Sequence, residues 1–269
     1  MGNFHVDLSV KPLTPQPFGL TGISCSPLGI GTVKWGRTEG LKHCPFELPD
    51  DATLHRLLDD AAAAGINVLD TAPSYGLSEA RIGQLLADRK HAFQIFTKAG
   101  EIFENGRPHW DFRASSIRQS IENSLRLLRT DRLAGVTLHC PLDDLGVITS
   151  SDAAATLAAL RAEGKIGLAG FSVMSSAGGL RAVPFFDFLM VAWNTGFHEH
   201  EPVIHAAADA GRGILLKKVL SSGHLAGTSP AAALTAAHAL PGHPVTLVGT
   251  LSPVHLAENI RALTSPSPS

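Results

Sequence analysis

Eight short apolar runs recur along the chain, and longer segments with helically spaced apolar residues lie between them. The runs read PLGIGT, INVLD, FQIFTK, LAGVTLH, IGLAGFS, FDFLMVAWN, GILLKK and VTLVGT, rich in the Val, Ile, Leu and Phe that fill buried strands. Helical periodicity appears in PDDATLHRLLDDAAAAG, LSEARIGQLLADR, RASSIRQSIENSLRLLRT, SDAAATLAALRAEG and SPVHLAENIRAL. Several of these open on a residue able to cap a helix, Asp50 or Asp51, Ser78, Ser151 or Asp152, and Ser252. Two close on glycine, at Gly65 and Gly164. Eight strands alternating with helices predict a single (β/α)8 TIM barrel over residues 1–269, and roughly 250 residues is the usual size of that fold. Ahead of the first strand, HVDLSVKPLTPQPFGLTGISC alternates polar and apolar residues around Pro and Gly. It predicts an N-terminal segment and hairpin over residues 1–22, at the barrel bottom. The Pro/Ser-rich tail, residues 265–269, carries no core residue and is expected to fray.

Composition narrows the partners. A formal net charge of −2 and a pI of about 6.7 give no electrostatic case for nucleic acid or an acidic membrane. No apolar run approaches the ~18 residues of a membrane span. The N-terminus lacks the basic and apolar regions of a secretion signal, and Val6 argues against myristoylation. Cys25, Cys44 and Cys140 are few and scattered, which fits a reducing cytoplasm and supplies neither a disulfide framework nor zinc spacing. The stretch FHEHEPVIH gathers His198, His200 and His205 with Glu199 and Glu201 but is not HExxH. A loop and a solvated helix start account for it better than a metal site.

A parallel barrel carries its chemistry at the C-terminal ends of its strands. INVLD ends in Asp70, FQIFTK in Lys98 and LAGVTLH in His139, while the only tyrosine of the chain, Tyr75, follows Asp70 by five residues. Four ionisable groups from three consecutive strands are thus placed at one rim. A free phenol titrates near pH ~10 and is a poor proton donor, whereas a neighbouring ammonium lowers that value. Asp70, Lys98 and Tyr75 form a relay that makes the tyrosine a general acid, and a neutral His139 donates a hydrogen bond to the same carbonyl oxygen. Adding a hydride to C=O needs this donor set and an organic hydride donor. Taken singly, Asp70 reads as a turn cap, Lys98 as a solvated loop lysine and His139 as a core histidine. Lys98 also admits a Schiff-base reading, as do Lys217 and Lys218. Trp35, Phe103, Trp110, Trp193 and Phe197 fall near the same rim, as walls of a substrate pocket or as loop anchors.

The segments LDTAPSYGLSEARIG, FTKAG, LHCP, GKIGLAGFS and SPVHLAENIRAL resemble the signature segments of the aldo-keto reductases, in the family's order, over roughly residues 17 to 265. The resemblance implies a catalytic tetrad of Asp70, Tyr75, Lys98 and His139 and a small-molecule carbonyl substrate. It also implies NADPH, with NADH as the alternative, lying extended across the barrel mouth without a Rossmann domain. The implied nicotinamide-side contacts are Gly31, Thr32, Asp70, Ser172, Met190, Lys217, Lys218 and Leu220. Toward the adenosine they are Gly249, Thr250, Ser252, His255, Glu258 and Asn259.

Departures from the family pattern cluster at the cofactor. Val173 stands where an asparagine is usual, Met190 where a glutamine is, and Lys217 where an aromatic ring often stacks. Loss of two amide partners weakens binding by about 1–3 kcal/mol unless other groups take over. His255 stands where a stronger base often grips a 2′-phosphate, and Gly249 where a lysine is usual, although Thr250 and Ser252 at a helix start still attract an anion. The chain stops soon after its last helical segment, so the pocket is expected to be shaped by GEIFENGRPHWDF and residues 33–49. These departures also keep open a second reading, a nicotinamide-binding regulatory protein with little turnover.

Overall fold

The structure, a computed structural model, describes residues 11–41, 46–87, 93–225 and 227–264. The expectations for Cys44, for the first ten residues and for the tail 265–269 lie outside the described residues. A two-stranded hairpin comes first, β1 (Gln16–Pro17) against β2 (Ser24–Cys25). The barrel strands follow as β3 (Leu28–Gly31), β4 (Val68–Asp70) and β5 (Gln94–Ala99). A second hairpin, β6 (Glu101–Glu104) and β7 (Arg107–Trp110), interrupts the series. The barrel resumes with β8 (Leu133–Leu138), β9 (Ile166–Ser172), β10 (Phe188–Ala192), β11 (Gly213–Lys217) and β12 (Val245–Val248). Each of the eight apolar runs forms one barrel strand. All pairings among them are parallel, and the sheet closes in the order β10-β11-β12-β3-β4-β5-β8-β9.

The helices are α1 (Asp51–Ala63), α2 (Ser78–Leu85), α3 (Ala114–Leu127), α4 (Asp144–Ser150), α5 (Ala153–Ala162), α6 (Ser176–Ala182), α7 (Glu201–Asp209), α8 (Pro230–His238) and α9 (Pro253–Thr264). Helix α1 shows why these segments are helical. Asp50 accepts from the Thr53 N–H at 2.7 Å, Leu54, Leu57, Leu58 and Ala61 bury one face, and Gly65 turns the chain away at φ +79°. The cap expected of Ser78 is a correction. Helix α2 starts from Leu77 without a side-chain cap, because the Ser78 hydroxyl donates to Thr32 Oγ1 at 2.7 Å instead. Asp152 occupies the start of α5 without a side-chain bond, and Ser151 Oγ accepts from the Ala153 N–H at 3.4 Å.

Two apolar cores result. One fills the space between sheet and helices; the other fills the barrel interior with Phe18, Val68, Phe96, Leu168, Phe188, Met190, Leu215 and their neighbours. Phe18, carried by the N-terminal hairpin, closes the floor. Its ring lies 5.7 Å from Phe96 and 5.8 Å from Phe188, which are themselves 5.3 Å apart. Side chains at Gly135, Gly170 or Gly213 would overlap these three rings, so the floor is packed solid. The hairpin is pinned there by Leu20 N–H to Gly211 O at 2.7 Å, and Leu13 N–H to Ala64 O at 2.9 Å holds the preceding segment.

The β6–β7 hairpin was not among the expected elements. Its turn is Asn105-Gly106, with φ of +52° and +74°, the left-handed pair that a two-residue hairpin turn demands. It rises from the end of β5 over the barrel mouth.

Candidate active site

Strand β4 ends at Asp70 and β5 runs through Lys98, both facing the interior at its upper rim. Lys98 is only 2% exposed, and its Nζ donates to both Asp70 oxygens at 2.7 Å and to Thr71 O at 2.8 Å. These oxygens, with the Tyr75 side chain also hydrogen-bonded to the ammonium, are what allow the charge to sit so deep. Burial alone would lower the lysine; the Asp70 carboxylate, with the hydrogen bonds Lys98 makes to Asp70 and Tyr75, outweighs it and holds Lys98 above its ordinary value.

Tyr75 closes a one-turn 3-10 segment, Pro73–Tyr75, that brings its ring within 4.8 Å of Lys98 Nζ. The neighbouring loop presses hard on this turn. Leu77 N–H donates to Gly36 O at 3.2 Å, and a side chain at Gly36 would overlap Tyr75 O and Ser78 N. The phenol is a correction to the expected sign. Burial raises it, Lys98 opposes, Asp70 and Glu101 add to the rise, and the net displacement is upward. Tyr75 therefore holds its proton at neutral pH, with Lys98 limiting rather than reversing the effect of burial.

His139 follows the last residue of β8, and its backbone N–H donates to Ala99 O at 2.8 Å. Its ring stands edge-on to Tyr75, centroids 6.5 Å apart. Nδ1 is buried without an in-line hydrogen bond, and Glu101 Oε2 lies 2.5 Å from it. Glu101 Oε2 also accepts from Ser74 Oγ at 3.2 Å. Arg37 donates to Ser74 O at 2.9 Å and stacks on Phe103 at 4.1 Å, tying the first loop to the hairpin above Tyr75. Burial would raise the Glu101 carboxyl, but His139 and Arg37 hold it below its ordinary value. His139 is pushed down, by burial first, against the pull of Glu101. Sequence reasoning missed Glu101. The Asn-Gly pair four residues on was the available signal, since it marks a hairpin that returns Glu101 to the mouth.

The structure thus brings Asp70, Lys98, Tyr75 and His139 to one rim. It separates the aromatic candidates. Trp35 is 0% exposed within the sheet–helix core and Trp193 is 3% exposed with its indole N–H on Glu201 at 2.8 Å, so both act as anchors. Trp110, at the end of β7, is 40% exposed. His198 Nδ1 lies 2.6 Å from Glu201, which places the histidine-rich stretch in local pairs around the start of α7.

Opposite the ionised rim, Lys217 at the end of β11 donates to Ser172 Oγ at 2.7 Å. Burial, reinforced by Lys218 and Lys98, lowers Lys217 to about 8. Val173 and Met190 are buried and apolar, and Met190 belongs to the inner core. Thr32 is also committed internally, its hydroxyl 3.0 Å from Asp70 O. Lys218 and Ser221 take left-handed backbone at φ +64° and +47°, shaping the loop that carries Leu220. Gly31 and Gly249 lie side by side at the strand ends, where an added Cβ would fill a space bordered by backbone oxygens at 3.9 and 3.7 Å. Beyond them α9 begins, with the His255 N–H on Ser252 Oγ at 3.4 Å, Glu258 exposed and Asn259 buried.

A closed parallel barrel thus carries a buried lysine–carboxylate pair under a tyrosine at its mouth. The chain belongs to the aldo/keto reductase family, whose profile matches residues 27–230. It is 32% identical over 238 residues to D-threo-aldose 1-dehydrogenase of a Pseudomonas species, covering 78% of this chain and 70% of that protein. It is also similar to a crystal structure described as an aldo-keto reductase of Pseudomonas aeruginosa. That match has a TM-score of 0.88 and 40% identity, and spans 94% of this chain and 97% of the other. An aldo-keto reductase of Bacillus halodurans, at 22% identity and TM-score 0.78 over 96% of this chain and 93% of its own, shares the fold. The chain is accordingly an oxidoreductase of a family that works with nicotinamide cofactors.

Proposed function

We propose that this protein reduces an aldehyde or ketone to the alcohol with NADPH, in the cytoplasm, as one barrel domain. The observation that carries the reading is Lys98, held on both oxygens of Asp70 and 4.8 Å from the ring of the chain's only tyrosine. A bound nicotinamide supplies the hydride. Tyr75, protonated at neutral pH and held so more firmly by burial, gives its hydroxyl proton to the oxygen that becomes the alcohol. Lys98, fixed by Asp70, stabilises the phenolate left behind, and His139 borders the same oxygen position and orients the substrate.

The residues present fit a dinucleotide. Gly31 and Gly249 leave a backbone-lined cradle between β3 and β12, and the Ser252 hydroxyl, which accepts from the His255 N–H, keeps its own proton for a phosphate at the start of α9. Ser172 and Lys217 stand where Val173 and Met190 provide no polar partner, so they hold the nicotinamide amide. His255 takes the 2′-phosphate side. Among the described residues no helix is long and apolar enough to cross a membrane, and a small-molecule substrate is consistent with the family.

Titration of the protein by NADPH and by NADH, followed through tryptophan fluorescence, tests the cofactor. NADPH consumption with a panel of aldehydes tests the reaction. Saturable NADPH binding tighter than NADH, with turnover of at least one aldehyde, is expected. Tight binding without turnover would instead establish a regulatory nicotinamide-binding protein.

A further inference from the structure

Three lysines stand at the strand ends of the mouth, and their surroundings differ. Lys98 is closed to covalent chemistry, because its ammonium is held on both oxygens of Asp70 and on Thr71 O. Lys218 follows β11 in left-handed backbone at φ +64° and is exposed. Lys217, the last residue of β11, resembles neither. It is partly buried and makes no ion pair among the described residues. Its Nζ donates to the neutral Ser172 hydroxyl at 2.7 Å and reaches the Met174 sulfur only at 4.0 Å.

A desolvated ammonium without a counter-ion is costly, and release of its proton relieves the cost. The neighbouring groups add to that pressure. Lys218 beside it and Lys98 from β5 oppose its charge, while Cys140 beyond β8 and Asp70 at the end of β4 favour it less strongly. His139 beyond β8 and His200 ahead of α7 feel the same cation, and each is pushed down in part by it. Lys217 is lowered to about 8, so part of it is free amine near neutral pH. Desolvation and an adjacent cation are the two devices that turn a lysine into a nucleophile.

We propose that Lys217 is a second reactive centre of the mouth, whose amine captures small aldehydes as a reversible imine while no cofactor is bound. The nitrogen lone pair bonds to the carbonyl carbon and the C=O pair moves onto oxygen. That oxygen takes a proton which the nitrogen gives up through Ser172 Oγ. The resulting carbinolamine loses its hydroxyl, with the remaining nitrogen proton, as water and leaves C=N. No electrons are gained or lost overall. The capture stands apart from the carbonyl-reductase reading; only its competition with the nicotinamide rests on that reading.

Reductive trapping tests the proposal. Full-length protein freed of cofactor is treated with propanal and borohydride, which reduces C=N to a stable secondary amine. Peptide fragmentation then separates an N-propyl adduct on Lys217 from one on its neighbour Lys218, and the ratio of the two cancels the behaviour of the reagent. Lys217 should be labelled about tenfold faster than Lys218 at about pH 7.5, and the ratio should fall toward one by about pH 10, where any lysine is largely free amine. Lys217→Arg, shown to be folded by circular dichroism, should lack the fast labelling. A ratio near one at the lower pH, or one that stays constant to the higher, overturns the proposal. Fast labelling that persists in Lys217→Arg does so too. Saturating NADP+, which cannot consume the aldehyde, should suppress the adduct. Labelling of Lys217 that NADP+ leaves untouched still supports the capture and counts instead against a nicotinamide held at Lys217.

Discussion

The floor and the mouth of the barrel are built by the same strands and obey opposite rules. On β5 the inward side chains two residues apart are Phe96 and Lys98, and on β4 they are Val68 and Asp70. Within one pleat the interior changes from interlocked aromatic rings to a buried ion pair. At the floor, contact among Phe18, Phe96 and Phe188 is nondirectional and fills volume. At the mouth every donor of Lys98 meets a named oxygen, and Glu101 meets His139 and Ser74. The dry floor fixes the strands so that the charged rim needs no reorganisation when a substrate arrives, which is where electrostatic catalysis gets its strength.

The largest effect is expected at Lys98. Lys98→Met leaves Asp70 buried without its cation and should cost about 3–5 kcal/mol in urea unfolding. Adding Asp70→Asn to that variant should recover much of the loss, and a single substitution costing under about 1 kcal/mol would show that the pair is not buried as described. Phe18→Ala should cost about 3 kcal/mol through the cavity it opens, yet leave NADPH affinity unaltered, since the floor does not touch the mouth. A change in affinity larger than the change in stability would couple the two ends.

Lys217 sharpens the same contrast through pH. Its folded value, about 8, lies below its ordinary 10.5, so the unfolded chain holds the proton that the folded one has released between those limits. Stability contributed by this group accordingly rises as pH climbs from about 8 toward 10.5, and Lys217→Met should flatten that part of the urea-midpoint profile. The smallest effect is expected at Ser252. Ser252→Ala should weaken NADPH by about fivefold and NADH by less, read from fluorescence titration, if this helix start faces the 2′-phosphate.

Much of the barrel was legible because strands buried in a parallel barrel are continuous apolar runs, and three consecutive ones end in the ionisable residues of the rim. Asp70, Lys98 and His139 could be placed from strand ends alone. Other features depended on distance in space. Ser78 has a helix-capping composition, but its hydroxyl is claimed by Thr32, forty-six residues away in sequence. Trp35 ends a one-turn 3-10 segment and Trp193 directly follows β10, and both are buried because these connections pack onto the helical shell. The direction of the Tyr75 shift needed the depth of the site, which local sequence does not encode. Glu101 was hidden for a different reason. The Asn-Gly turn was readable, but only the folded hairpin sets that carboxylate against His139.

The central claim is that Tyr75 is the proton donor at this mouth. Its most direct test is the single-turnover rate of aldehyde reduction by Tyr75→Phe saturated with NADPH. A fall of about 10³-fold with NADPH affinity preserved is predicted, within the range a positioned general acid contributes. A rate within about threefold of wild type would contradict it, since a positioned acid is worth far more.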